Sequence, residues 1–134
     1  MVDFLTQEWA DELAACLNRN PNYKKSAKTW EGALILEFKA ENARLEKDAY
    51  LLLDLWHGEC RGARFLDEGE EAEHEFTISA KETDWHDLVT GKQDPSKALM
   101  TGKYKVKGNL GKLMRFPKAA AYVLKYLKRL LEDW

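Results

Sequence analysis

Apolar residues recur at helical spacing near both ends of the chain and in alternation between them. Trp9, Leu13, Cys16 and Leu17 fall at i, i+4, i+7 and i+8, with Glu8, Asp11, Glu12 and Arg19 on the other side. That pattern predicts a helix over residues 3–19. Asn20-Pro21-Asn22 stops it, and residues 23–28 read as a polar connection. Residues 29–40 alternate, with Trp30, Gly32, Leu34, Leu36 and Phe38 on one face and Glu31, Ala33, Ile35, Glu37 and Lys39 on the other. This is a strand of a sheet covered on one side. Residues 50–58 form a second strand, apolar on both faces for much of its length, which suggests a central position. Residues 60–66 form a third, with Gly62 marking a bulge. An acidic turn over residues 67–73 reads as an exposed hairpin loop. Residues 75–80 form a fourth strand, with Phe76 and Ile78 on one side and Thr77 and Ser79 on the other.

Residues 85–109 follow in a fixed order of short instructions. Trp85, Leu88 and Val89 share a helical face, and Gly91 follows at a C-cap position. Asp94 is an N-cap, with Pro95 at the first helical position of a second short helix carrying Ala98, Leu99 and Met100. Gly102 ends it, Lys103-Tyr104-Lys105-Val106-Lys107 alternates as a fifth strand, and Gly108-Asn109 turns the chain. A short turn carries Leu113, Met114 and Phe116. Pro117 then opens a final helix whose stripe is Ala120, Val123, Leu124, Leu127, Leu130, Leu131 and Trp134. Helices flanking five mostly antiparallel strands make an α+β fold with helices on one face of the sheet.

The order and spacing of Trp85, Leu88, Gly91, Asp94-Pro95, Ala98, Met100, Gly102-Lys103 and Gly108 resemble the sterol carrier protein 2 (SCP-2) family. The resemblance extends more loosely over most of the chain as strand and helix order. It implies a twisted, mixed five-stranded sheet roofed on one face by helices, with an apolar cavity between the layers. It also implies ligands such as fatty acids, fatty acyl-CoAs, sterols and phospholipids.

Composition sharpens this picture in three ways. The 134 residues, 45% hydrophobic, suit one domain spanning 1–134. The net charge of −2 conceals an asymmetry: residues 95–131 hold ten Lys or Arg and no acid. Such a block suits an anionic partner, here a ligand headgroup or a transient membrane contact through the basic C-terminal third, or else is a solvated face that balances the acidic half. Its aromatic residues fall on core faces rather than between lysines, so nucleic acid is not expected. No apolar run approaches a membrane span, and the chain ends Glu132-Asp133-Trp134 rather than in a peroxisomal Ser-Lys-Leu address, so a cytoplasmic location is expected. Cys16 and Cys60 are expected to be reduced, with at least one buried.

His57, His74 and His86 have no metal-pair spacing, and no nucleophile–base pair or phosphate loop is present. No enzyme, cofactor or metal site is expected. What remains is apolar surface. The sheet offers Leu34, Leu36, Phe38, Leu53, Leu55, Phe76 and Ile78. The helices and their connections offer Leu88, Leu99, Met100, Leu113, Met114, Phe116, Val123 and Leu127, with Met100, Met114 and Phe116 at the mouth. The expected function is non-catalytic binding or transfer of a lipid in a tunnel between sheet and helices. The alternative is an accessory scaffold that presents an isoprenoid lipid to biosynthetic enzymes.

Overall fold

A computed structural model describes residues 6–41, 45–90, 102, 104–108, 111–112 and 115–130, apart from the side chains of Val89, Pro117 and Leu130. The elements in chain order are α1 (Gln7–Arg19), α2 (Pro21–Ser26), β1 (Glu31–Lys39), β2 (Ala49–Trp56), β3 (Glu59–Phe65), β4 (Phe76–Lys81), α3 (Glu82–Val89), β5 (Lys105–Lys107) and α4 (Pro117–Leu130). The second short helix predicted at residues 94–100 lies outside the described residues. Among the described residues no helix is long and apolar enough to cross a membrane.

The strands form one sheet in the order β3-β2-β1-β4-β5. β1 pairs antiparallel with β2 and parallel with β4; the β2–β3 and β4–β5 pairs are antiparallel. The alternating face predicted for β1 is the buried one: Leu34, Leu36 and Phe38 are covered. The register carries that face across the sheet. Leu53 and Phe76 stand opposite Leu34, while Leu51 and Ile78 stand opposite Leu36.

Four sequence readings shift. Residues 23–28 are not a simple connection, because Asn20 both ends α1 and caps α2. Its Oδ1 accepts from the backbone N–H groups of Asn22 and Tyr23 at 2.9 and 3.2 Å, Pro21 takes the first helical position, and Tyr23 is buried. The central strand is β1; β2 lies beside it, and the second face of β2 is half-open at Leu52 and Asp54. The β2–β3 register skips Arg61 between Gly62 and Cys60, which places the expected bulge one residue earlier. The acidic segment is not a hairpin. β3 and β4 are separated by β2 and β1, so residues 66–75 cross the sheet, and they do so over its open face. There Arg64 holds Glu70 at 2.6 Å, and the backbone N–H of Glu75 donates to Ala33.

α1 lies along β3. Trp9 packs on Phe65 with ring centroids 6.0 Å apart. The Asn18 side-chain amide pairs with the backbone of Cys60, donating to its carbonyl and accepting from its N–H, each at 2.8 Å; Gln7 donates to the Ala63 carbonyl at 2.9 Å. The outer edge of β3 is thereby closed by helix side chains instead of a further strand. α3 stands at the other side. Its Glu82 carboxylate is fully buried and accepts from the backbone N–H groups of Glu41 and Leu45 at 2.7 and 2.9 Å.

His57 and Gly58, with φ of 49° and 83°, form the two-residue turn between β2 and β3 that positive φ at both positions permits. A Cβ on Gly58 would lie 2.4 Å from the Lys24 carbonyl oxygen of α2. Gly58→Ala is expected to lower the free energy of unfolding by roughly 1–3 kcal/mol in urea titration, from unfavourable backbone conformation alone. Both cysteines are free and buried. Burial raises the Cys60 thiol to about 11. The thiol therefore stays protonated through neutral pH, and the stability it lends is complete below the unfolded value near 9.0 and lost as pH rises toward 11. Iodoacetamide at pH 8 should leave Cys60 unmodified in the folded protein and label it in urea, read by mass spectrometry.

Candidate functional site: the apolar layer between sheet and helices

The covered face of β1 is aromatic at both ends and aliphatic between. At one end Trp30 stacks on Phe76 at 5.5 Å between centroids and meets the edge of Phe116 at 5.0 Å. The Trp30 indole N–H donates to the Gly32 carbonyl at 2.8 Å, and the Lys112 ammonium sits 5.2 Å above the ring. At the other end Phe38 packs on Trp85 at 5.0 Å, and Trp85 meets Tyr104 at 5.4 Å. The Trp85 N–H donates to the Glu37 carbonyl at 2.9 Å, and the Tyr104 hydroxyl donates to the Asp84 carbonyl. Burial pushes the Tyr104 phenol upward, so it remains a neutral donor. Between the clusters lie Leu34, Leu36, Leu51, Leu53 and Ile78. From Trp30 to Phe38 the strand path is roughly 26 Å at about 3.3 Å per residue.

α4 completes the apolar layer on this side of the sheet. Its helix neighbours are α1, α3 and α2, and its Val123 and Leu127 belong to the same buried cluster as Leu34, Leu36 and Leu53. α1 stands over β3, and α3 beside β4 and β1, so α4 bridges two helices set at the margins of the sheet. Val123 and Leu127 point inward and are buried, with Ala119 beside them. The Tyr126 hydroxyl, accepting from Asn20 at 2.9 Å, fixes the bridge to the α1–α2 corner.

Most of the described residues expected to line a cavity lie together in one buried apolar layer. Leu34, Leu36, Phe38, Leu53, Leu55 and Phe76 form the buried floor with the half-buried Ile78. Val123 and Leu127 lie in the bridge, and Leu88 and Phe116 are half-buried at its margins. Leu99, Met100, Leu113 and Met114, and with them most of the expected mouth, lie outside the described residues. Phe76 and Phe38 belong to the aromatic ends rather than to the middle. Trp30, Trp85 and Tyr104 belong to the same buried cluster although the sequence reading does not include them among the site residues. Trp30 stands on the apolar face of β1 in the alternation, which is the available signal.

Two shallow depressions lie elsewhere. One, of about 480 Å³, is lined by Lys28, Thr29, Glu31 and His57. The other, of about 630 Å³, lies on the open face between Ala33, Leu52, Asp54, Trp56 and Arg61 and the crossing segment at residues 72–75. Both are broad and polar-rimmed. The buried polar side chains among the described residues are engaged: the Ser79 hydroxyl donates to Glu37, and Glu82 grips the turn after β1.

The arrangement recurs in solved structures. A crystal structure of sterol carrier protein 2 is 35% identical, with 94% of this chain and 98% of that chain covered and a TM-score of 0.83. A solution structure from Thermus thermophilus, described as a conserved hypothetical protein, possibly sterol carrier protein, is 34% identical over 97% of this chain and 91% of that chain, at a TM-score of 0.80. Apo sterol carrier protein 2 from Yarrowia lipolytica, at 22% identity, shares the fold over 96% of each chain with a TM-score of 0.58. Comparison with curated proteins gives no match. Residues 13–121 match the model of the SCP-2 sterol transfer family, and the chain belongs to that family.

Proposed function

We propose that the protein binds a lipid non-catalytically in an apolar cavity between the aliphatic strip of the sheet and α4, and carries it between sites. The observation that supports this most is the continuous aliphatic strip of Leu34, Leu36, Leu51, Leu53 and Ile78, with Val123 and Leu127 of α4 in the same apolar layer. Membership of a sterol transfer family supports the same ligand class.

The aromatic clusters end the strip, and the leucines between them give a surface with no fixed polar demand. Such a surface suits an acyl chain or a sterol-like body and selects by length and bulk. Ten buried methylenes contribute about 8 kcal/mol, of the order of a micromolar dissociation constant before the costs of association. Fatty acids, fatty acyl-CoAs and phospholipids fit this scheme alongside sterols, with a charged headgroup left toward water near the basic C-terminal third.

Organic extraction of the purified protein after native mass spectrometry is expected to yield a bound lipid, and a fluorescent fatty-acid analogue should bind and be displaced by unlabelled fatty acid. Ile78→Asp and Leu88→Asp, each at a half-buried position, should weaken uptake more than tenfold with far-ultraviolet circular dichroism unchanged. A protein with no extractable lipid that ignores the analogue would count against this reading and for the scaffold role.

A further inference from the structure

The face of the sheet turned away from the helices carries features that the apolar layer does not use. The β1–β2 register sets Trp56 opposite Glu31, Asp54 opposite Ala33 and Leu52 opposite Ile35, all on that open face. Trp56, at 38% exposure, is the exposed large apolar side chain among the described residues. Its ring stacks on the His57 imidazole with centroids 5.2 Å apart, and the Arg61 guanidinium lies 4.9 Å from its centre. Arg61 is the residue that the β2–β3 register skips, and Asp54 accepts from its guanidinium at 2.9 and 3.3 Å. The broad depression of about 630 Å³ lies between these residues, Ala33, Leu52 and the crossing segment at residues 72–75. Residues 67–75 contain six acids and no Lys or Arg. Arg64 takes up Glu70, and Lys112 takes up Glu75. Among the described residues no ion pair takes up the exposed Asp67, Glu68, Glu71 and Glu73.

We infer that this depression docks a basic, extended segment of a partner protein, with apolar side chains four residues apart and lysine or arginine between them. Charge complementarity selects the sign: the acids of the crossing segment attract cations and repel nucleic acid or an anionic membrane. The spacing follows from β2. Trp56 and Leu52 are four residues apart, roughly 13 Å of strand, so an extended chain along β2 sets its first and fifth side chains on them. Its third side chain then points at Asp54, beside Glu73 and Glu75. The breadth of the depression selects a polypeptide over a small molecule, because small-molecule pockets enclose most of their ligand. Among the described residues no group of three or more His, Cys, Asp or Glu is placed to hold a metal ion. Trp and Arg are the side chains that most often dominate interface energy, and here both are held in place before a partner arrives, which lowers the cost of ordering them. The sheet separates this surface from the apolar layer under α4, so the inference does not rest on the lipid-binding reading.

Titration of the isotope-labelled protein with the acetylated, amidated peptide Leu-Lys-Lys-Lys-Phe, followed by backbone amide chemical shifts, tests this. Saturable shifts should appear at residues 32–33, 52–56, 61 and 72–75 and weaken as salt rises. Two control peptides, Leu-Glu-Glu-Glu-Phe with the charge reversed and Ser-Lys-Lys-Lys-Ser without the apolar ends, should each bind about tenfold more weakly or less well still. In the protein, E71K/E73K and W56S should each weaken binding of the first peptide about tenfold. E8K/E46K makes the same change in net charge on α1 and in the loop between β1 and β2, and should weaken it about twofold at most. The inference is overturned if no shifts appear, if they fall on the helices instead, if either control peptide binds equally well, if folded W56S binds as tightly as the parent, or if E71K/E73K and E8K/E46K act alike. Should far-ultraviolet circular dichroism show W56S unfolded, the comparison of the two charge-reversed pairs decides.

Discussion

The structure depends on one apolar layer shared by the sheet and the helices. The helix with the cleanest apolar stripe, α4, packs with three other helices and buries Val123 and Leu127 in the cluster that holds the sheet's leucines. α1 is fixed at one margin by polar bonds to the edge of β3 as well as by packing. α3 is fixed at the other by Trp85 and by the buried carboxylate of Glu82. With both anchored, α4 packs against α1 and α3 and, through α2, against the α1–α2 corner. The strip beneath it is leucine and isoleucine, closed at each end by aromatic side chains that hydrogen-bond to the backbone. Everything proposed about ligand binding depends on this apolar layer between the sheet and α4.

Much of this was legible in the chain. The two-residue alternation of β1 named its buried face, and the 3.6-residue stripe of α4 named Val123 and Leu127, because each period reports directly which side lies away from water. The helical spacing of Trp85 and Leu88 in α3 and the alternation around Tyr104 were equally plain. Pairing was less so. β4 beside β1 in parallel, with an acidic crossing over the open face, depends on contacts between segments distant in sequence, and residues 67–73 alone look like a hairpin turn. Asn20-Pro21-Asn22 contains both the stop for α1 and the start for α2, and only the direction of the Asn20 side chain separates the two. The aromatic ends were hidden for a different reason: Trp30 and Trp85 are read as core from their periodicity, while their role in closing the strip comes from where β1 begins and ends.

The charge distribution fits the same frame. The acids of residues 67–75 cross the face the helices leave open, and cations without acids mark α2 and α4. Neither is needed to fold the sheet. A short helix with a buried Tyr23 and three exposed lysines around it joins the basic face of α4 to the α1–α2 corner.

The most direct test is to locate a bound acyl chain by nuclear magnetic resonance. Intermolecular nuclear Overhauser effects from a perdeuterated protein carrying protonated methyl groups, bound to a protonated fatty acid, would report which layer the chain touches. The account predicts contacts to methyls of both layers at once, Leu36 or Leu53 below and Val123 or Leu127 above. Contacts confined to Ala33 and Leu52 on the open face, with none to α4, would contradict it.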